Sequence, residues 1–362
     1  MRRFSTSASV AVVESITVDE LDRQLTQCLG VDGRASFSAI AEILGVSDQT
    51  IARRYRRLRS AGALRVVGIK YPTASGYGGW FLRLRCVPGA GMAIAEALSK
   101  RPDTAWVQLL SGDTEVLCAL RGTGAGSDTT HSLLARLPRS SRIVAVTAHS
   151  RLHMFTGGPD ALGFFDVLPQ ERVEPLRRRA RLSAAQAAGQ PSSGDPAAPV
   201  AAVAAVAPVA PAEEGELDTA LFAALAVDGR TPYADLAAAT GWSETTVRRR
   251  IDQLRDAGVL QFDLEADMPA FGFRTSAWLW LSVRPSHLAG VGSALAKHPE
   301  VAYVVATTGP ANLATCVVCR DDEALYEFLT AKVGALPGVE RVETAPVIRT
   351  VKQASPVAFP RP

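Results

Sequence analysis

Arginine side chains crowd a short segment of this chain, between positions 47 and 65. Six arginines stand there against a single acid, Asp48. Ile51, Tyr55 and Leu58 follow helical spacing and would form a buried face, so most of the guanidinium groups would face outward, where they can pair with phosphates. A merely solvated basic face, common on surface helices, is the alternative. The segment predicts a helix that contacts a nucleic-acid backbone.

Three helical patterns in a row would position these arginines. The first spans an apolar stripe over 21–29, the second covers about 36–44, and the third is capped by Ser47. Two helices joined by a short glycine-containing turn form a helix-turn-helix, in which the N-terminal residues of the second helix reach base edges. The residues predicted to contact double-stranded DNA in this unit are Ser47, Gln49, Thr50, Arg53, Arg54, Arg56 and Arg57.

This unit occurs twice. Residues 21–64 align without a gap onto 217–260, with 19 of the 44 positions identical. The second copy has four arginines against three acids, so its attraction to a phosphate backbone should be weaker. We therefore expect the first copy to supply most of the non-specific affinity and the second to add sequence recognition. The residues predicted to contact DNA in the second copy are Ser243, Thr245, Thr246, Arg248, Arg249 and Arg250.

Each copy continues into alternating strand and helix patterns. The first predicts strands over 80–87, 105–110, 116–120 and 143–149, with helices over 90–99 and 129–137. The second predicts strands over 278–283, 301–307, 313–319 and 339–346, with helices over 287–297 and 323–336. The order β-α-β-β-α-β is that of a ferredoxin-like domain. The predicted fold class is α+β, with two winged three-helix helix-turn-helix domains, each followed by a ferredoxin-like domain.

These patterns and the low-complexity stretches define the expected domain boundaries. An Ala/Pro-rich stretch between the copies has side chains too small to build a core, which predicts a linker. The expected parts are a disordered N-terminal extension (1–17), a first helix-turn-helix domain (18–70), a first ferredoxin-like domain (78–156), an extra strand and helix packing on that domain (157–182), the linker (183–215), a second helix-turn-helix domain (216–265), a second ferredoxin-like domain (274–352) and a tail (353–362).

Composition narrows the class of protein. The 362 residues are 47% hydrophobic and 21% charged, the balance of a globular protein, and the net charge is only +3. Cys316 and Cys319 stand three apart in a predicted strand, so they would point to opposite faces and could not share a metal. His149 and His153 stand four apart, but His149 lies at the end of a predicted strand, where this spacing does not converge on a metal. The sequence lacks a nucleophile motif, and it lacks an apolar run long enough for a membrane span. We expect a cytoplasmic protein without a metal, cofactor, membrane association or catalytic residues.

The repeated motifs resemble one known family. L-D-x-x-L, D-G-R and S-x-x-T-[IV]-x-R-R, present in both copies, are similar to the DNA-binding half of the Lrp/AsnC transcriptional regulators. The β-α-β-β-α-β half resembles that family's effector and oligomerisation domain, and the turn over 307–313 is especially close to its effector loop. Family members usually carry one copy and dimerise, whereas this chain carries two.

The resemblance implies a small-molecule effector, often an amino acid, bound near the turn between the second and third strands. Asp113 could meet an ammonium group, and the amides of the turn could meet a carboxylate. Plain hairpin glycines are the alternative reading of Gly112 and Gly309. The residues implied at the effector sites are Ser111, Gly112, Asp113 and Thr114 in the first copy and Thr308, Gly309, Pro310, Ala311 and Asn312 in the second.

The expected function is a sequence-specific DNA-binding regulator, not an enzyme. Its two effector domains would pair, within one chain or between chains, and an effector would shift the spacing of the recognition helices. Two alternatives stay open. One is an amino-acid-sensing module that does not bind DNA, and the other is an enzyme similar to the haem-biosynthetic decarboxylases, which resemble this family in fold.

Overall fold

The computed structural model describes residues 16–70, 79–121, 140–158, 163–187 and 216–355. The predicted helix over 129–137, the N-terminal extension up to residue 15, and the linker from residue 188 onward lie outside these ranges. The helices and strands, in chain order, are α1 (Glu20–Val31), α2 (Phe37–Leu44), α3 (Asp48–Ser60), β1 (Leu64–Lys70), β2 (Gly79–Cys86), α4 (Gly91–Ser99), β3 (Thr104–Leu110), β4 (Glu115–Arg121), β5 (Ile143–Thr156), α5 (Gln170–Ala187), α6 (Glu216–Val227), α7 (Tyr233–Thr240), α8 (Glu244–Asp256), β6 (Leu260–Ala266), β7 (Thr275–Val283), α9 (Leu288–Leu295), β8 (Val301–Thr307), β9 (Leu313–Cys319), α10 (Asp322–Glu327) and β10 (Val339–Lys352).

The two helix-turn-helix units pair with each other through their wings. β1 and β6 form an antiparallel two-stranded ribbon in which Val67 lies opposite Asp263. These two residues occupy equivalent positions in the repeat, so an approximate two-fold axis passes between them. Arg65 and Glu265, which are buried, form an ion pair across the ribbon. Nothing in the sequence indicates this pairing, because β1 and β6 continue the helical units without a turn signal of their own.

The two ferredoxin-like sheets close into one eight-stranded barrel with the strand order β10-β3-β4-β2-β5-β8-β9-β7. β5 leaves the first sheet to pair with β8, and β10 leaves the second sheet to pair with β3. Both strands run six or seven residues past the ends predicted at 149 and 346. Those extra residues pair with a strand of the other copy's sheet, so the two effector domains pair within one chain.

Apolar side chains fill three layers of this double domain. One core lies behind each sheet, under α4 in the first copy and under α9 and α10 in the second. A third core fills the barrel between the sheets and includes Phe81, Trp278 and Trp280. Cys316 belongs to the barrel core and Cys319 to the core behind its sheet, so the two thiols do point to opposite faces. Burial raises the pKa of Cys316 to about 12.

The segment after β5 departs from its prediction. It was expected to add a strand and a helix to the first effector domain, but in its described part it forms a short turn and then α5, which packs on α1, α2 and α8. Gln27 of α1 fixes it, because the Gln27 side chain bonds both Asp166 and the backbone of Leu168. The second copy has Ala223 at the position of Gln27, so it lacks the side chain that makes these bonds. The expected linker also begins later, since α5 continues to Ala187.

The residues expected to form a tail are partly structural. Gln353, Ala354 and Ser355 are buried between the barrel and the β1–β6 ribbon. The Gln353 side chain donates to the Ala266 carbonyl at 3.1 Å, and the Ser355 amide donates to Glu265 at 2.6 Å. The end of β10 therefore ties the second effector domain to both DNA-binding wings.

Candidate nucleic-acid interface

Serine caps set the start of both recognition helices. The Ser47 hydroxyl accepts the Thr50 amide at 3.1 Å before α3, and the Ser243 hydroxyl accepts the Thr246 amide at 3.2 Å before α8. In each pair the serine and threonine hydroxyls also bond each other. These four predicted site residues therefore fix the helix ends that would enter a groove.

Removing the first cap should loosen α3 without unfolding the protein. Because an alanine leaves the Thr50 amide without its acceptor, we expect Ser47→Ala to lower the free energy of unfolding by about 1 kcal/mol. Thermal unfolding followed by circular dichroism measures the change. Ser38→Ala, on α2, is the control, since Ser38 is exposed and its hydroxyl bonds the Ser36 hydroxyl rather than a backbone amide. Equal losses in the two variants would contradict the capping role.

The arginines of α3 divide into those that bind a carboxylate and those that form no ion pair with any described residue. Arg54 and Arg57 bind the buried carboxylate of Asp22 on α1, and Arg54 also binds Asp19 at 2.6 Å. Hydrogen bonding to Asp19 raises the pKa of Arg54. In α8, Arg250 repeats the arrangement with Asp218 at 2.5 Å. These arginines hold the recognition helices on their domains.

A second group is exposed. Gln49, Arg53 and Arg56 lie one turn apart on the outer side of α3, and Arg53 and Arg56 form no ion pair with any residue that the structure describes. In α8, Thr245, Arg248 and Arg249 are exposed. Thr50 and Thr246 are partly covered. The exposed group provides the cations that can meet a phosphate backbone.

The D-G-R motif joins the two units, a role that the sequence analysis missed. Arg34 donates to the carbonyls of Gly229 and Thr231 at 2.7 and 3.1 Å. Arg230 donates in return to those of Gly33 and Ala35 at 2.7 and 2.8 Å. The fork of each arginine is thus bound by the other copy's motif. The sequence shows that the motif occurs in both copies, but it does not show that the two copies hydrogen-bond to each other.

Ring contacts and ion pairs strengthen this joint. The Arg34 guanidinium carbon lies 4.6 Å from the centroid of the Tyr233 ring, and that of Arg230 lies 4.4 Å from the Phe37 ring. Two further ion pairs cross between the copies, Arg59 with Asp228 at 2.8 Å and Arg255 with Asp32 at 3.3 Å. The distance between α3 and α8 is therefore set by a polar joint that repeats on both sides of the two-fold axis.

The first effector loop is strained. Ser111, Gly112 and Asp113 all have positive φ, between 51° and 69°, a conformation that residues with a side chain rarely adopt. The Asp113 carboxylate accepts the Met92 amide at 3.0 Å and so holds the start of α4. Ser111, Gly112 and Thr114 are exposed. Strain of this kind concentrates at functional sites, although the capping bond already occupies one oxygen of the carboxylate proposed for an ammonium group.

The second effector loop is braced by its neighbours. The Asn312 amide accepts from the Val283 N–H and donates to the Val283 carbonyl. Thr308 bonds β5 of the other effector domain, through the Ser150 amide at 2.9 Å and through its carbonyl to His149 Nδ1 at 2.8 Å. Gly309 and Pro310 are exposed and Ala311 is half-buried. The loop therefore lies at the junction of the two effector domains.

A polar cluster in the barrel lies between these loops. The rings of His149 and Trp280 have centroids 5.0 Å apart, and the Arg83 guanidinium carbon lies 4.6 Å from the Trp280 ring. Arg83 also binds Glu115, the residue that follows the first loop, and Glu343. The hydrogen bond from Arg83 lowers the pKa of Glu343. Side-chain contacts thus connect the second effector loop with the first.

A substitution at Gly309 tests how closely the second effector loop packs against His149. It has a φ of +108°, and an added Cβ would lie 2.9 Å from His149 Nδ1. We expect Gly309→Ala to cost roughly 1–3 kcal/mol of stability, because the backbone is strained and the imidazole must shift. Gly45→Ala, with φ +71° and no atom within 4 Å of its Cβ, is the control for backbone strain alone. Chemical denaturation measures both, and a smaller loss for Gly309→Ala would contradict the close fit.

Comparison with known proteins agrees with this architecture. The AsnC-type helix-turn-helix domain matches residues 18–59 and 216–255, and the Lrp/AsnC ligand binding domain matches residues 276–357. HTH-type transcriptional regulator FL11 of Pyrococcus horikoshii is 33% identical over 141 residues, which are 39% of this chain and 93% of that protein. HTH-type transcriptional regulator LrpA of the same organism is 26% identical over 138 residues, 38% of this chain and 98% of that protein.

The fold and the matches define a helix-turn-helix protein with ferredoxin-like domains of the Lrp/AsnC type. The chain belongs to the Lrp/AsnC family, which confirms the resemblance and the predicted fold class. Its distinctive feature is that both halves of the pair lie in one polypeptide. Among the described residues, no helix is long and apolar enough to cross a membrane.

The solved structures correct one expectation. E. coli AsnC aligns with 38% of this chain and 93% of its own, at 24% identity and a TM-score of 0.36. The siroheme decarboxylase NirDL aligns with 91% of this chain and 92% of its own, at 13% identity and a TM-score of 0.48. Because an enzyme matches over almost the whole chain, the prediction that the protein is not an enzyme was wrong as an exclusion. At this identity the likeness concerns the fold alone.

Proposed function

We propose that this chain is a DNA-binding transcriptional regulator that occupies a two-part operator with both of its recognition helices. The observation that carries the proposal is the joined pair of helix-turn-helix units, each with exposed arginines on its recognition helix. A regulator of this kind acts where the chromosome is, which makes it a cytoplasmic protein. The two helices differ in sequence, so the operator is an imperfect palindrome.

The joint between the units determines the operator's geometry. The β1–β6 ribbon and the reciprocal arginines hold α3 and α8 in a pair without a second chain. Such a pair fits half-sites about one helical turn, ~10 bp, apart or a multiple of it. The DNA-binding residues are then Gln49, Thr50, Arg53 and Arg56 on α3 and Thr245, Thr246, Arg248 and Arg249 on α8. Arg54, Arg57 and Arg250 hold the helices in place.

Selection from a pool of random duplexes tests this function. The purified chain should retain a duplex with two related but unequal half-sites, and its affinity should fall steeply with salt as counterions are released. Enrichment of no sequence, together with equally weak retention of all duplexes, would contradict the proposal. The pool also gives the duplexes that the variants below require.

We infer that a small molecule related to an amino acid binds at the effector loops and alters this DNA binding. The strained residues 111–113 and the position of the 308–312 loop between the two effector domains support the inference. A ligand that shifts the Thr308 carbonyl would disturb its hydrogen bond with His149. The contact of His149 with Trp280, and of Trp280 with Arg83, would carry that shift onward. Coupling between sites in such switches is typically about 1–3 kcal/mol.

Each of the twenty L-amino acids at millimolar concentration serves as a probe. One that binds the folded chain raises its unfolding temperature by mass action, and we expect at least one to do so. The active amino acid should then change the affinity for the selected duplex between 5- and 150-fold, as an order of magnitude. Unchanged unfolding temperatures with all twenty would contradict an amino-acid effector and leave the DNA-binding proposal intact.

A further inference from the structure

On the outward side of the two recognition helices, the charged residues lie at different positions along the helix axis. In α3 this side is formed by Gln49, Ala52, Arg53 and Arg56, and in α8 by Thr245, Arg248, Arg249 and Asp252. Relative to the first helix, the second gains an arginine at the position of Ala52 and has an aspartate at that of Arg56. The positive charge of α8 therefore lies one turn closer to its N-terminus.

A tyrosine holds the added arginine. The guanidinium carbon of Arg248 lies 4.6 Å from the centroid of the Tyr233 ring, on the neighbouring helix α7. Arg34 of the other unit lies over the same ring, also at 4.6 Å, with its fork fixed by two carbonyls. Tyr233 is thus a half-buried platform at the joint of the two units, and Arg248 is exposed on its outer side.

The first copy is built differently at this place. Phe37 takes the position of Tyr233, Arg230 lies over it at 4.4 Å, and its other ring neighbour is Tyr55, with centroids 5.6 Å apart. Because Ala52 stands where the second copy has Arg248, the first helix has no cation to place on its platform. The contact between a recognition-helix arginine and the joint is therefore particular to α8.

We propose that Arg248 determines the sequence specificity of the second recognition helix and that Tyr233 positions it, so that the second half-site contains a guanine with no counterpart in the first. This inference rests on the proposed DNA-binding function. Residues in the first turns of a recognition helix reach base edges, and the arginine fork matches the O6 and N7 acceptors of guanine. An arginine restrained on a ring loses less freedom when it forms these bonds.

Base substitution in the selected duplex tests the proposal. Replacing the guanine of the second half-site by adenine should weaken binding of the wild-type chain 10- to 100-fold. The same replacement should change the affinity of Arg248→Ala less than 3-fold, because that variant lacks the group that distinguishes the two bases. Tyr233→Leu should reduce the discrimination at least 5-fold, whereas Tyr233→Phe, which keeps the ring, should retain it.

The converse variant and a footprint complete the experiment. Ala52→Arg should not acquire discrimination at the first half-site, since no vacant platform holds the new side chain there. Hydroxyl-radical protection of the first half-site serves as the internal control that Tyr233→Leu is folded. If Tyr233→Leu loses that protection, two other variants decide the proposal. Arg248→Ala should lose the discrimination between guanine and adenine, and Tyr233→Phe should retain it.

Three results would overturn the proposal. Arg248→Ala could lose affinity equally for all duplexes, which would make Arg248 a phosphate contact only. The wild-type chain could tolerate every guanine substitution in the second half-site. Tyr233→Leu could bind with protection of both half-sites and undiminished discrimination. Failure of the wild-type chain to enrich any duplex is a different outcome, because it contradicts the DNA-binding function itself.

Discussion

Arg53→Ala/Arg56→Ala should lose DNA affinity on the order of 100-fold at physiological salt. Both guanidinium groups are exposed on α3 and form no ion pair with any described part of the chain. Each arginine that contacts a base or phosphate contributes about 1–3 kcal/mol, and each released phosphate contact lowers the salt slope by about 1. We therefore expect both a weaker affinity and a slope reduced by about 2. Fluorescence anisotropy with the selected duplex at several salt concentrations measures both quantities.

A matched variant separates position from net charge. Arg320→Ala/Arg349→Ala removes the same charge from exposed positions on the effector domains and should leave affinity and slope within about 2-fold of the wild type. Arg54→Ala is a second comparison, because its ion pairs with Asp19 and Asp22 make its main effect a loss of stability. Equal losses in the two double variants would contradict the assignment of α3 to DNA.

Arg34→Ala/Arg230→Ala should disconnect the two DNA-binding units. Each arginine donates two hydrogen bonds to carbonyls of the other copy, and its removal leaves those carbonyls unpaired in a partly buried joint. Hydrogen bonds that involve a charged group contribute about 1.5–3 kcal/mol each. Burial lowers the pKa of Arg230, because its charge is held where water is scarce. We expect hydrogen exchange in the β1–β6 ribbon to accelerate by at least 100-fold.

The two helix-turn-helix units of the same variant should bind DNA almost independently of each other. Its footprint on the two-part duplex should shrink to the half-site under α3, because the two helices then bind separately and α3 has the larger excess of positive charge. Arg34→Lys/Arg230→Lys keeps the charge but loses the planar fork, so it should behave like the alanine variant rather than the wild type. Slow exchange in the ribbon and an intact footprint in the alanine variant would show that the joint is held by other contacts.

Local signals in the sequence predicted most elements of this fold. The caps at Ser47 and Ser243 and the glycine after α2 are short-range features, and the structure has them where the sequence places them. The strand patterns also located both ferredoxin-like sheets. The ends of β5 and β10 were missed, because alternation of inward and outward residues weakens where a strand passes from one sheet to the other and has different neighbours on each side.

Long-range pairing was the part that sequence reasoning could not provide. Helical spacing places Arg54 beside Ile51 and Leu58, but nothing within α3 indicates its partner, because that partner is Asp22 on α1, about thirty positions away. The partners of the D-G-R arginines lie in the other copy, about two hundred positions away, so neither copy alone indicates them. The sequence does show that this arginine follows a glycine in both copies. The structure gives the reason for the glycine, because an added Cβ would lie 3.0 Å or less from Phe262 and Val66.

The exclusion of enzymes failed for a related reason. It relied on missing motifs, such as a nucleophile turn or metal-ligand spacing, and those motifs describe only some kinds of catalysis. Side chains from both copies converge in the barrel, where His149 and Trp280 lie against Arg83, and no contiguous motif could have shown that cluster.

The central claim is that one chain engages both halves of an operator with two different helices. Hydroxyl-radical footprinting on the selected duplex tests it most directly, with the stoichiometry of the complex measured by native mass spectrometry. We predict one chain for each pair of half-sites, protection of two segments about 10 bp apart or a multiple of it, and loss of one segment when the arginines of α3 are replaced. Protection of a single segment, or a requirement for two chains to cover the pair, would contradict the claim.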